Sequence, residues 1–309
     1  MRALVTGGAG FVGTNLIIRL LESGYIVTSF DNYSTGCEEN KQDGCDYLEI
    51  DISREFSLNR RFDVIFHLAA LPRIGPSFKN PIDVFKSNVN GTINILDYAR
   101  KHEVPVVYAG TSSFWGGVYK NPYTFSKWQG EELCKMYERI YDLPVTICRF
   151  YNVYGDYMQN EGEYRTVLSI FLEQYRYGKS LTITGDGEQR RDFTNVLDVV
   201  EANVLAATKD LDDSAFGQVY NVGTGINHSI NEIAEMISDN TEYIPPRLGE
   251  ARVTLAHISR IKGTLGWEPK IKLEDWIESA LPKEEVEEPK NPIRESFNKL
   301  KSWIYGAVE

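Results

Sequence analysis

Tyr123 and Lys127 stand four residues apart, so on a helix the phenol and the ammonium share a face. A free tyrosine loses its proton near pH 10 and becomes a base at neutral pH only beside positive charge. Lowering that pKa by about three units takes roughly 4 kcal/mol, which a lysine and a second cation in a dry pocket can supply. A second group lies at the start of the chain. Gly8, Gly10 and Gly13 fit G-x-G-x-x-G, and Gly7, Gly10 and Gly13 fit a looser G-x-x-G-x-x-G. Such glycines let the backbone approach a pyrophosphate, and the N-terminus of the following helix attracts it. Asp31 comes 18 residues after Gly13. A carboxylate there accepts both ribose hydroxyls and repels a 2′-phosphate, which favours NAD over NADP. Alone, each pattern reads equally well as a tight turn or an ordinary amphipathic helix.

The elements that must position these groups alternate. Leu4-Val5 lead into the glycine turn, Leu16, Ile17, Leu20 and Leu21 recur at helical spacing, and Tyr25 to Phe30 reads as a buried strand. Further strands are expected at Asp63–Leu68, Val104–Tyr108 and Val145–Cys148, and a long helix at Pro81–Lys101. Asn121 as N-cap and Pro122 in the first turn open a helix running to about Tyr141, with Tyr123 at its start. Alternating helices and continuous apolar strands imply an α/β fold, a Rossmann-type doubly wound parallel sheet covered on both faces. Beyond about residue 155 the pattern weakens into short strands near Leu181–Thr184 and Val219–Asn221. Helices are expected near Thr166–Tyr177, Ser229 and Leu273. The expected division is a dinucleotide-binding domain over 1–155, to which later segments can return, and a smaller C-terminal α/β substrate lobe over 156–282. A charged connector and terminal helix fill 283–309.

Composition narrows the class. The chain has 309 residues with 33 Lys+Arg against 44 Asp+Glu, a net charge of −11, which disfavours nucleic acid and anionic membranes as partners. Four scattered cysteines make no disulfide framework, and no ligand spacing suggests a metal site. No apolar run reaches the ~18 residues of a membrane span, and the N-terminus enters a strand rather than a signal peptide. A cytoplasmic globular protein is expected.

The motifs TGGAGFVG, DNYSTG, HLAA, SNVNGT, YTFSK, RFYNVYG and GDGEQRRDF follow one another in order along the chain. In this it resembles the extended short-chain dehydrogenase/reductase superfamily, in its nucleotide-sugar epimerase and dehydratase branch. The resemblance implies that Gly7, Gly10, Phe11 and Val12 hold the pyrophosphate of NAD. Asp31, Asn32, Ser34, Thr35 and Gly36 would surround the adenosine ribose, and Asp51 and Ile52 the adenine. Leu68, Ala69, Ala70, Asn88 and Phe150 would line the nicotinamide side, together with Tyr123 and Lys127. His67 is read as structural. Thr111 falls on the catalytic hydroxyl position, and Ser112 and Ser113 can share its role. The catalytic set is then Thr111, Tyr123 and Lys127.

Relatives that eliminate water carry Asp-Glu after that threonine, and sugar-acid decarboxylases carry Ser-Glu; here Ser112-Ser113 offer no carboxylate. The resemblance therefore implies epimerisation at C4 of a UDP-sugar of the glucose, N-acetylated or uronic acid type. Tyr123, as phenolate, would take the 4-hydroxyl proton while hydride passes to NAD, and the 4-keto sugar would turn and take the hydride back. Asn152, Arg191 and Arg247 would hold the diphosphate, and Thr254 would leave room for an N-acetyl group. Arg73 and Arg252 are read as peripheral. Thr184 stands where UDP-sugar enzymes place a large residue against uracil, and Pro72 where some hexose epimerases place a lysine. Trp115 and Tyr119 lie in a short loop before Tyr123 and are expected to pack it. Alternative readings are a decarboxylase, a 4,6-dehydratase, an epimerase at another carbon, or a non-catalytic NAD sensor. A homodimer through two helices per subunit is implied, with Ile93, Leu96, Leu133, Met136 and Tyr137 as contact candidates.

Overall fold

The computed structural model describes residues 1–58, 60–247 and 249–281, so the terminal helix expected within 283–309 lies outside the described residues. Seven strands form one sheet: β1 (Arg2–Thr6), β2 (Ile26–Asp31), β3 (Cys45–Glu49), β4 (Val64–His67), β5 (Val106–Thr111), β6 (Val145–Phe150) and β7 (Val219–Val222). Every pairing is parallel, and the spatial order is β7-β6-β5-β4-β1-β2-β3. The order reverses between β1 and β4, where Thr6 pairs with Phe30 on one side and His67 on the other. Such a reversal leaves a crevice beyond the carboxyl ends of the strands.

Four helices cover the sheet: α1 (Phe11–Glu22), α2 (Gly91–His102), α3 (Pro122–Tyr141) and α4 (Val196–Thr208). Side chains alternate across the strands and sort into two cores. Ala3, Val5 and Phe66 pack with Leu16, Ile17 and Leu20 of α1 and Val199 and Val200 of α4. Leu4, Ile65 and Tyr108 pack with Ile95, Leu96 and Ala99 of α2 and Cys134 and Tyr137 of α3. Fully burying one such aliphatic side chain contributes about 1.5–3 kcal/mol. Leu96 and Tyr137 are therefore core residues and not the subunit contacts expected of them, whereas Ile93 and Met136 are exposed.

Two expectations change. The helix read over Pro81–Lys101 is interrupted by a π turn, Lys86–Asn90, between Pro81–Phe85 and α2. The widened turn carries Asn88, whose amide accepts from Leu71 N–H at 2.8 Å and donates to Ser126 Oγ at 3.0 Å. The strand near Val219 belongs to the main sheet beside β6 rather than to the smaller lobe.

That lobe pairs Leu181–Thr184 with Thr241–Ile244 and Arg190–Asp192 with Asn227–Ser229. A third core of Phe171, Ile183, Ile233 and Ile277 holds it. The buried Asp192 carboxylate pins it to the loop after β7. It accepts from Thr224 N–H and Oγ1 at 2.7 Å, Gly225 N–H at 2.9 Å and Ala256 N–H at 3.0 Å.

Candidate active site

A cavity of about 910 Å³ opens at the carboxyl ends of the strands, between the sheet and the smaller lobe. Single-ligand pockets run to about 1,000 Å³, so this one lies near the top of that range. The glycine turn forms its floor. Gly7 has φ +74°, and a methyl group on it would lie 2.9 Å from the Ala69 backbone; one on Gly13 would lie 2.1 Å from the Gly7 carbonyl oxygen. Only hydrogen fits at either place, so α1 can run close against β1. No side chain caps α1, and Phe11, Val12 and Gly13 at its first turn face the cavity. Free N–H groups at such an end suit a phosphate. The Asp31 carboxylate is held in place by Ala9 N–H and Tyr33 N–H, both at 2.9 Å, and lies on the wall with Asn32, Ser34, Thr35 and Gly36. Asp51 and Ile52 line the same end, and Leu68, Ala69, Ala70 and Phe150 the other. These residues fit a dinucleotide laid from β2 towards β5. Asn88 does not reach the cavity. It is buried behind the wall, clamping Leu71 to Ser126, and Ser87 lines the cavity in its place.

Asn121 accepts from Thr124 N–H at 2.8 Å, so α3 starts where Pro122 puts it and Tyr123 enters the cavity on the first turn. The Thr111 hydroxyl, at the end of β5, lines the cavity with the Tyr123 phenol and favours its ionised form. It also lies 3.0 Å from Ser113 Oγ and accepts from Ser113 N–H. Burial raises the Tyr123 pKa, the neighbouring Thr111 hydroxyl and the Arg73 charge oppose that rise, and Glu131 adds to it. The protein alone therefore keeps the phenol protonated, and the phenolate calls for further positive charge from a bound ligand. Lys127 is buried one turn on, with Nζ 4.2 Å from the centre of the Tyr108 ring. Burial lowers its pKa to about 8, against the pull of the Glu131 carboxylate. Glu131 in turn grips Arg149 through Nε at 3.1 Å and Nη2 at 2.5 Å. The Arg149 guanidinium stacks 4.2 Å over Phe114, in the turn that follows Thr111. One buried ion pair thus ties α3, β6 and the hydroxyl-bearing turn together. His67 bonds Thr6 Oγ1 at 2.8 Å and Thr92 Oγ1 at 3.0 Å, away from the cavity, and burial pushes its pKa down to about 3. It is a neutral core histidine.

The smaller lobe supplies the far wall. Arg191 and Arg247 line it, with Glu250 between them at 3.2 Å and 3.9 Å. Asn152 donates to the Asp192 carbonyl at 2.8 Å and to Thr254 Oγ1 at 3.4 Å, and both side chains face inward. Thr184 lines the cavity with Gln189, which donates to the Thr184 carbonyl at 2.9 Å. Arg252 is turned outward onto Asp186. Trp115 bonds Tyr151 Oη at 2.6 Å and Tyr119 stacks on Phe125; neither reaches the cavity. Sequence reasoning missed Glu250, although it stands three residues from Arg247, because nothing in the spacing shows that Arg191 meets the same carboxylate. It also placed Arg73 outside the site, whereas Arg73 lies on the cavity wall.

Residues 3–223 match the model of the NAD dependent epimerase/dehydratase family. The chain belongs to this family. Its cofactor is NAD, in keeping with the glycine turn and Asp31. A putative UDP-glucose 4-epimerase of Methanocaldococcus jannaschii is 34% identical over 305 residues, covering 90% of this chain and 96% of the relative. The crystal structure of a UDP-glucose 4-epimerase from Thermotoga maritima with UDP-glucose superposes with a TM-score of 0.84. It is 32% identical, covering 90% of this chain and 96% of that one. A UDP-glucuronic acid 4-epimerase from Bacillus cereus, solved with UDP-glucuronic acid and NAD, gives a TM-score of 0.80. Its identity is 28%, with 91% and 98% coverage. No group of three or more His, Cys, Asp or Glu side chains is placed to hold a metal among the described residues, and no helix there is long and apolar enough to cross a membrane.

Proposed function

We propose that this family member is a UDP-sugar 4-epimerase that works through a transient 4-keto sugar. The observation that carries the reading is the convergence of Thr111, Tyr123 and Lys127 on one cavity with the glycine turn at one end and Arg191 and Arg247 at the other. Arg191 and Arg247 neutralise the diphosphate through fork-shaped hydrogen bonds. Thr111 hydrogen-bonds the sugar oxygen and Tyr123, so the proton leaves towards a phenolate already aligned with it. Lys127 keeps positive charge beneath that phenolate. NAD, held by the glycine turn and Asp31, would supply the hydride acceptor and donor. Ser112 and Ser113 extend the hydroxyl row beside Thr111; with no carboxylate there, the group that would drive loss of water or CO₂ is missing.

The domains at 1–155 and 156–282 divide the labour between cofactor and sugar nucleotide, with β7 and α4 returning to the first. The protein acts in the cytoplasm as a homodimer through the outer faces of α2, α3 and the helix before them, where Ile82, Ile93, Met136 and Ile140 are exposed. The test of function is proton NMR of the purified protein, without added NAD, against UDP-glucose, UDP-N-acetylglucosamine and UDP-glucuronate. The expected result is the anomeric signal of the C4 epimer in at least one sample, lost in Tyr123→Phe. No conversion of any of the three, repeated with NAD present, refutes the reading.

A further inference from the structure

Arg73 stands at φ +79°, ψ 139°, a backbone conformation that residues bearing a side chain rarely adopt. Such a conformation persists only where the surroundings impose it, and it clusters at ligand-holding positions. The residue follows β4, directly after Pro72, and begins the short helix Ile74–Lys79. Its Nε donates to the Tyr164 carbonyl at 3.0 Å, which fixes the plane of the guanidinium. Among the described residues its two outer nitrogens have no hydrogen-bond partner, and no carboxylate lies within 4 Å of it. They face the cavity that also holds Tyr123, Thr111 and Ser113. Burial lowers its pKa, and it feels Tyr123, Arg247 and Glu250. Arg73 thus sits on the wall between the catalytic tyrosine and the phosphate arginines, where the sugar ring must lie. A guanidinium whose fork opens on a cavity, with its plane already fixed through Nε, is placed to receive an anion in two parallel hydrogen bonds. The diphosphate already has Arg191 and Arg247, and a neutral sugar hydroxyl brings no charge.

We propose that Arg73 binds a carboxylate on the sugar, so that the preferred substrate is the nucleotide derivative of a hexuronic acid. The inference rests on the epimerase reading and names the substrate within it. Arg73 would meet the carboxylate with two parallel N–H donors, an arrangement that a lysine point charge reproduces only in part.

The experiment compares kcat/KM for UDP-glucuronate and UDP-glucose in the wild type, Arg73→Gln and Arg73→Lys, followed by NMR. The wild type is expected to favour the uronate. In Arg73→Gln the ratio of uronate to glucose should fall about 10- to 100-fold, the range for a lost charged hydrogen bond, and Arg73→Lys should recover part of it. A ratio unchanged by Arg73→Gln overturns the proposal, since Arg73 would then act on Tyr123 for every sugar alike. A second arm titrates the inert Tyr123→Phe holoprotein, with and without Arg73→Gln, against UDP, UDP-glucose and UDP-glucuronate by calorimetry. Selective loss of uronate affinity supports the proposal. An equal loss for UDP alone makes Arg73 a phosphate residue and overturns it. Absence of turnover with every sugar refutes the epimerase reading, while the calorimetric comparison still decides the role of Arg73.

Discussion

Replacing Glu131 by glutamine removes a carboxylate that faces both Lys127 and Arg149. Lys127 titrates at about 8 because burial lowers it and Glu131 holds it up. An opposite charge at such range is worth about 1–3 units, so the variant should bring Lys127 to about 7 or below. At pH 7.5 the protonated fraction then falls from about three quarters to about one quarter. Glu131 also raises the Tyr123 pKa, though less than burial does, so its removal shifts the base in the same direction. The kcat/KM profile should therefore move to lower pH as a whole, its alkaline limb by about one unit and its acid limb by less. Glu131→Gln also leaves Arg149 buried without its partner, which costs about 3–5 kcal/mol of stability. The double variant Glu131→Gln, Arg149→Met removes both charges and should regain most of that stability while keeping the displaced profile. The assay is epimerisation from pH 6 to 10 on both variants, with urea unfolding alongside. A profile that drops in height with both limbs unmoved would sink the argument, because damage to packing lowers a rate without moving a titration.

Three further outcomes follow from the same geometry. His67 titrates at about 3 in the fold against about 6.5 unfolded, so the unfolded chain binds the extra proton between those values. Stability is thus full above about pH 6.5 and lost as pH falls; at pH 5 the loss is about 2 kcal/mol, measurable as a drop in urea midpoint that His67→Gln should abolish. Gly13→Ala places a methyl 2.1 Å from the Gly7 carbonyl oxygen, so α1 must move off β1. The purified variant should carry little or no NAD by absorbance and cofactor release. Thr111→Ala removes the hydroxyl that favours the Tyr123 phenolate and should cost about 10²–10⁴ in kcat with UDP affinity retained by calorimetry.

Local signals in the sequence located most of the cofactor half. The run from Leu4 through the glycines to Asp31 contains a whole strand–helix–strand unit, and Asn121-Pro122 marks the start of α3 to the residue. Signals that depend on distant partners were not legible. Cys45–Glu49 has half-buried, partly charged residues typical of a sheet edge, so it carries no continuous apolar run to betray a strand. Val219–Val222 shows only four residues, and its place beside β6 depends on contacts about 70 residues back in the chain. The π turn at Lys86–Asn90 lies between helical segments on both sides, so the sequence pattern does not mark it. Arg73 escaped for a similar reason: backbone conformation at a single non-glycine residue leaves no trace in composition.

The late arrival of β7 has a consequence for how the protein is made. Six strands, the glycine turn and the whole Thr111–Tyr123–Lys127 set precede it in the chain, yet β6 has no neighbour on its outer side until Val219–Val222 is available. On the ribosome, the nascent chain therefore holds a nearly finished cofactor site bordered by the unpaired outer backbone edge of Val145–Phe150. An open edge of that kind recruits other strands, so a stalled or clipped chain ending before 219 should aggregate rather than persist as a cofactor-binding fragment. The same order of synthesis means that the sheet is completed only after Arg191, on the far wall of the cavity, has already been made.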